Sequence, residues 1–220
     1  YKITEFLQGA RTCDSDDMKD VRKCMQYLRR FHDLNLQVDH SFDLFDQIDY
    51  YESLWDGEPS IYRDYKETKK NIWKLKQYID RQPKQISLTH IDAVCDNFLL
   101  KDDRIFLIDW EYAGMQDPHV DVAMFCIYSL YNKRQVDRLI YALYDRKQID
   151  SLINAYFPEG VEESVKFKIY CYIAVCGLLW SNWCEYKRMC GVEFGEYSIK
   201  QYRYAKEFYR IVENEAGEEI

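Results

Sequence analysis

Asp92, Asn97 and Asp109 have the types and spacing to move a proton and to hold a hard divalent cation. They lie in the stretch from Thr89 to Trp110, which reads as strand, tight loop, strand, turn, strand. Ile86 to Leu88 are apolar, and a polar cluster with His90, Asp92 and Asn97 follows. Phe98 to Leu100, a Lys-Asp-Asp turn and Ile105 to Ile108 come next, with Asp109 directly after them. A β-hairpin brings the ends of its strands together, so residues spread along the chain can converge on one point. Two carboxylates and an amide beside such a hairpin suit Mg²⁺, which takes oxygen ligands and shares them with substrate phosphates. Asp and Asn also favour turns for local hydrogen-bonding reasons. The fixed spacing over several positions is more specific than a turn requires.

The order His-x-Asp-x-x-x-x-Asn followed by Ile-Asp-Trp-Glu-Tyr resembles the catalytic loop and metal-binding segment of the choline/ethanolamine kinases. Their wider group includes aminoglycoside phosphotransferases and, more distantly, protein kinases, in which a loop Asp, an Asn and a second Asp follow in the same order. The resemblance implies that Asp92 accepts the proton of a substrate hydroxyl, that Asn97 and Asp109 hold Mg²⁺, and that ATP is the co-substrate. The segment Ala-Gly-x-x-Asp-Pro-x-x-Asp-x-Ala resembles the one that follows the metal-binding Asp in that group. Asp121 then matches a position that ties the catalytic loop down, a scaffold role shared with His90. Glu111 reads equally as an acid close to the metal or as an exposed strand end.

Trp180 and Trp183 lie three apart on a long helical pattern and share a face. Paired indole faces carry negative potential and suit a quaternary ammonium. Taken alone, such a pair reads first as core packing. The choline kinase resemblance extends through WSNW, EFGEY and KQYRYAKEFY, and implies an amino-alcohol pocket over residues 180–204 with Tyr197 and Tyr202 on its wall. One departure concerns AMFCIYSLY, where eukaryotic-type members carry an acid and this chain has none. Glu185, Glu193 or Glu196 are the candidates to replace it.

The elements that must position these groups are mostly helical. Helical spacing predicts helices over 14–34, 41–55, 60–81, 132–144, 148–156, 161–189 and 196–212, one more starting near His119, and a frayed acidic tail. YCYIAVCGLLW marks 161–189 as the central core helix. Gly114 and Pro118 are expected to form a turn. The first residues, with Ile3, Phe6 and Leu7, alternate like an edge strand. By resemblance they correspond to the last strand of a kinase N-terminal lobe and its hinge, with Glu5, Phe6 and Leu7 at the adenine. The expected fold is therefore α+β and mainly α, a kinase-like C-terminal lobe carrying a small catalytic β-hairpin. Residues 1–11 form the hinge and 12–220 the helical lobe, with catalytic loop 89–97 and metal segment 105–112. The N-terminal nucleotide lobe is expected to be absent from this chain, which alone is then expected to be inactive.

Of the 220 residues 47% are hydrophobic and 31% charged, a globular balance. The formal net charge of −8 argues against nucleic acid as a partner. No run approaches the ~20 apolar residues of a membrane span. Eight cysteines without a Cys-x-x-Cys pair are expected as free thiols in a cytoplasmic protein. The expected partners are ATP and choline or a related amino alcohol, with a homodimer left open. An aminoglycoside kinase and a non-catalytic choline-binding module are the competing readings.

Overall fold

The computed structural model describes residues 5–129 and 141–216. The order is β1 (Arg11–Thr12), α1 (Met18–Asp33), α2 (Leu44–Ser53), α3 (Tyr65–Arg81), β2 (Ser87–Thr89), a 3-10 turn (Cys95–Asn97), β3 (Phe98–Lys101), β4 (Arg104–Leu107), β5 (Gly114–Gln116), α4 (His119–Ser129), α5 (Tyr141–Tyr156), α6 (Glu163–Met189) and α7 (Glu196–Ala216). The fold is mainly helical α+β with two small sheets.

α1 starts at Met18 rather than near Asp14, because the Asp17 side chain caps it by accepting from the Lys19 amide at 2.8 Å. Val21, Cys24, Met25 and Leu28 then turn one buried stripe inward. Asp43 caps α2 in the same way through the Phe45 and Asp46 amides. α3 begins at Tyr65, five residues later than the periodicity predicts. The preceding segment is drawn instead onto Glu185, which accepts from Ser60 Oγ at 2.6 Å and the Ile61 amide at 3.0 Å. Ile61, expected inward, is exposed as a result.

α6 is buried almost all round and forms the axis of the core. α7, α4, α2 and α3 pack against it. Gly177 permits the tightest of these approaches: a Cβ there would lie 2.7 Å from the Ala205 nitrogen and the Gln201 carbonyl oxygen. α7 continues to Ala216, beyond the predicted stop at Val212, and residues 141–156 form one helix. The predicted helix over 132–144 lies largely outside the described residues, as do Ile3 and the end of the tail.

The strands divide differently from the simple run in the sequence. β1, β3 and β4 form one sheet, whereas β2 leaves the hairpin and pairs antiparallel with β5. β5 occupies the stretch expected to be a turn. Gly114 is needed there for close approach, since a Cβ would come within 3.1 Å of the Phe42 nitrogen. The only strand among the described first residues is Arg11–Thr12; Glu5, Phe6 and Leu7 lie in coil that leads into turns closed by the Phe6 and Leu7 carbonyls. The eight cysteines are free thiols, all buried except Cys190. No helix among the described residues is long and apolar enough to cross a membrane.

Candidate active site

Pairing of β2 with β5 brings the chain to Thr89 opposite Gly114, just before the α4 N-terminus. There the fully buried Asp121 accepts from the His90 amide at 2.8 Å and the Ile91 amide at 2.7 Å. Ile91 holds φ at 72°, a left-handed conformation that a β-branched residue rarely adopts. The same carboxylate meets His32 Nε2 at 3.0 Å, and His32 Nδ1 meets the Tyr156 hydroxyl at 2.8 Å. Sequence reading missed His32. The available signal was its place one turn after Leu28 on the inward stripe of α1, where a buried imidazole requires partners.

The His90 ring completes the loop. Its Nε2–H donates to the Ile108 carbonyl at 2.8 Å, and its plane meets Trp110 edge-on with centroids 4.6 Å apart. Burial pushes its pKa down and keeps it neutral.

The β3–β4 register of Phe98 opposite Leu107 is extended by the Ile108 amide donating to the Asn97 carbonyl at 3.0 Å. Asn97 therefore lies beside the segment that ends in Asp109. Its Nδ2 donates both to the Asp92 carbonyl at 2.8 Å and to the Asp92 carboxylate at 3.0 Å. That geometry leaves Asn97 Oδ1 as the amide's oxygen ligand. Asp92 is half-buried, and desolvation raises its pKa to about 6; the Asn97 hydrogen bond opposes this, while the charges of Asp109, Asp121 and Glu111 add to it. Asp109, at φ 66°, and Glu111 are both exposed. No group of three or more His, Cys, Asp or Glu is arranged to enclose a metal among the described residues. One amide oxygen and one exposed carboxylate fit Mg²⁺, which keeps several waters and completes its shell with phosphate oxygens.

An aromatic wall runs from this loop and returns to it. Tyr112 meets Trp180 edge-on with centroids at 5.3 Å, and Trp180 meets Trp183 at 5.8 Å. Trp183 packs on Phe194 at 4.8 Å, Phe194 on Tyr197 at 6.4 Å, and Tyr197 on Tyr128 at 6.1 Å. Trp180 is buried and donates its Nε1–H to Met124 Sδ at 2.9 Å, whereas Trp183 is half-buried. The wall starts at Tyr112, three residues after Asp109, and ends at Tyr128, whose hydroxyl donates to Asp96 in the catalytic loop. Tyr202 stands apart from this chain of ring contacts. Its ring stacks on Tyr62 at 3.8 Å, and its hydroxyl donates within the α3 side of the core, where Asp64 and Thr68 lie 2.8 Å away. Phe194 falls in the EFGEY stretch that the resemblance had marked, whereas Tyr128 and Tyr112 were not singled out, because an aromatic residue's spacing does not reveal which other rings it will meet.

Residues 2–206 match the sequence profile described as Choline/ethanolamine kinase. Protein LicA of Haemophilus influenzae (strain Rd) is 26% identical over 208 residues, covering 91% of this chain and 74% of the relative. The crystal structure of choline kinase LicA from Streptococcus pneumoniae superposes with a TM-score of 0.76 at 25% identity, covering 94% of this chain and 69% of that one. A structure of LicA in complex with AMP gives 0.75 at 26% identity, covering 94% and 68%. With the profile spanning nearly the whole chain and kinase-like neighbours sharing its fold, the protein belongs to the choline/ethanolamine kinase family.

Proposed function

We propose that this chain carries the catalytic loop and acceptor site of a phosphotransferase acting on the hydroxyl of choline or a related small amino alcohol, with ATP as phosphoryl donor and Mg²⁺ bound by Asn97 and Asp109. The observation that carries the reading is the aromatic wall that begins at Tyr112, three residues after Asp109, and ends at Tyr128, whose hydroxyl donates to Asp96 beside Asn97. A trimethylammonium or ammonium group against these ring faces leaves the hydroxyl of a two-carbon alcohol beside the Asp92 carboxylate. Asp92, ionised near neutral pH, orients that hydroxyl and takes its proton as the oxygen attacks the terminal phosphorus. Mg²⁺ supplies charge neutralisation on the phosphates when bound. Asp121 and His90 hold the loop so that Asp92 keeps its aim. The AMP complex of a relative supports an adenine nucleotide as co-substrate, with Glu5, Phe6 and Leu7 proposed beside the adenine.

A second reading, an aminoglycoside acceptor, draws on a cleft of about 510 Å³ lined by Asp14, Asp16, Asp17, Asp20 and Asp96. Several carboxylates in one cleft suit a polycation. Phosphoryl transfer from ATP to choline, ethanolamine and kanamycin, with Trp183→Ala beside the wild type, separates the two. Transfer to an amino alcohol, with an acceptor KM raised about tenfold in Trp183→Ala, is expected. Transfer to kanamycin alone would reverse the assignment.

A further inference from the structure

A cation in an aromatic pocket is held more selectively when one carboxylate faces it, because an ammonium N–H needs an acceptor that ring faces supply only weakly. The described part of α4 beyond Asp121 carries no acid. Glu185 is buried and held by Ser60 and the Ile61 amide. Glu196 pairs with Lys200 at 3.7 Å, and Glu193, exposed like Asp96, lies on the α6–α7 connection. Asp92 and Asp109 have their own tasks. Two carboxylates remain at the ends of the wall, Glu111 beside Tyr112 and Asp96 beside Tyr128.

We infer that Asp96 supplies the negative charge of the substrate pocket, presented toward the acceptor's cationic group by the Tyr128 hydroxyl. This rests on the amino-alcohol reading above. Three observations favour Asp96 over Glu111. It is hydrogen-bonded to a ring of the wall, the Tyr128 O–H donating to Asp96 Oδ2 at 2.6 Å. It sits on the 3-10 turn Cys95–Asn97, pinned by the Val94 and Cys95 carbonyls and by β3, so its carboxylate is carried on a rigid element. It also lines the acidic cleft of about 510 Å³ with Asp14, Asp16 and Asp17, so further negative charge stands beside it. Asp20 adds little to that field, because Arg11 neutralises it.

The phenol occupies one lone pair of Asp96 and leaves others for N–H donors. A primary ammonium can donate to them, whereas a quaternary ammonium feels only the charge. Asp96 is therefore a specificity residue that favours acceptors bearing N–H groups.

Steady-state kinetics of the intact protein with ethanolamine and choline test this, using Asp96→Asn, Tyr128→Phe and Glu111→Gln. In Asp96→Asn the ethanolamine KM is expected to rise at least tenfold and the choline KM less than threefold, with the loss carried by KM rather than kcat. Tyr128→Phe should shift the ethanolamine KM in the same direction by a smaller factor. Unchanged acceptor KM values in Asp96→Asn, or an equal rise for both acceptors, would overturn the inference and leave the amino-alcohol reading standing. So would a rise confined to the ATP KM, which would place Asp96 at the nucleotide, or a tenfold ethanolamine effect found only in Glu111→Gln. A wild type that phosphorylates neither amino alcohol would instead remove the functional reading itself.

Discussion

The Asp121 carboxylate accepts from the Ile91 amide at 2.7 Å while Ile91 stands at φ 72°. A left-handed β-branched residue stores on the order of 1–3 kcal/mol of strain, and Asp121 is the group that holds it. The buried His32 reinforces that carboxylate from the other side. Replacing Asp121 by Asn puts an N–H₂ against one of its two backbone donors, the His90 and Ile91 amides. A loss of about 1–3 kcal/mol is expected, together with a fall in kcat greater than any rise in acceptor KM. Denaturant unfolding beside steady-state kinetics checks both. A variant with wild-type kcat would show that the strained loop holds itself.

Asp92 is expected to trade stability for chemistry. Its folded pKa of about 6 lies above the ordinary 3.8 because burial disfavours its charge. Between those values the folded state binds more protons than the unfolded state, so stability falls as pH rises through that window. Asp92→Asn removes the buried charge. Its melting temperature should exceed the wild type's at pH 7.5 and converge with it near pH 4. Its phosphoryl transfer should drop by roughly 10²–10⁴-fold, the usual worth of a general base. A variant less stable at pH 7.5 would contradict the burial argument.

His119 acts with the opposite sign. Burial, aided by the positive charges of Lys168 and Arg29 and opposed by Asp117, lowers its pKa from 6.5 to about 4. The imidazole is neutral in the fold, so its contribution is present above pH 6.5 and is lost as pH falls toward 4, where only the unfolded state gains a proton early. His119→Gln should therefore flatten the decline in melting temperature between pH 7 and pH 5. An unchanged slope would assign the acid sensitivity to other groups.

Gly177→Ala tests the closest helix approach in the core. Alanine favours an isolated helix over glycine by about 1 kcal/mol. Here the added Cβ meets backbone atoms of Gln201 and Ala205 at 2.7 Å, which no side-chain rotation relieves. α6 and α7 must part, and a net loss of about 1–3 kcal/mol is expected, read as a lower thermal midpoint. A midpoint at or above the wild type's would show that the two helices separate without penalty.

The buried pair of Lys168 and Asp117, 2.8 Å apart, ties α6 to the turn before α4, and Lys168 also donates to the Pro83 carbonyl at 2.8 Å. Lys168→Met strands a buried carboxylate that retains the Tyr172 hydroxyl as donor. A loss of about 3–5 kcal/mol is expected, measured by urea unfolding. A double variant with Asp117→Asn should recover part of it, and no recovery would argue against the pairing.

The spacing of Asp92, Asn97 and Asp109 was legible in the sequence because a short hairpin obeys local rules: strand alternation, a two-residue turn at Asp102 and Asp103, and one register. The helices were legible for the same reason, since buried stripes and Asp caps act within a single turn. The partners of those helices were not. Asp121 meets His32, Glu185 meets Ser60, and Tyr128 meets Asp96 across separations of 89, 125 and 32 residues. Such pairs arise only when elements pack, and no local period encodes which of several inward polar groups will meet. Tyr202 shows the same limit: its helical spacing marks it as inward, as does that of the pocket aromatics, but only the packing of α7 on α3 and α6 turns it toward Tyr62 and Thr68. Sequence thus determined the chemistry available and the elements that carry it. Tertiary packing decided which side chains surround Asp92, Asn97 and Asp109, because burial and hydrogen-bond satisfaction are settled between elements and not within them.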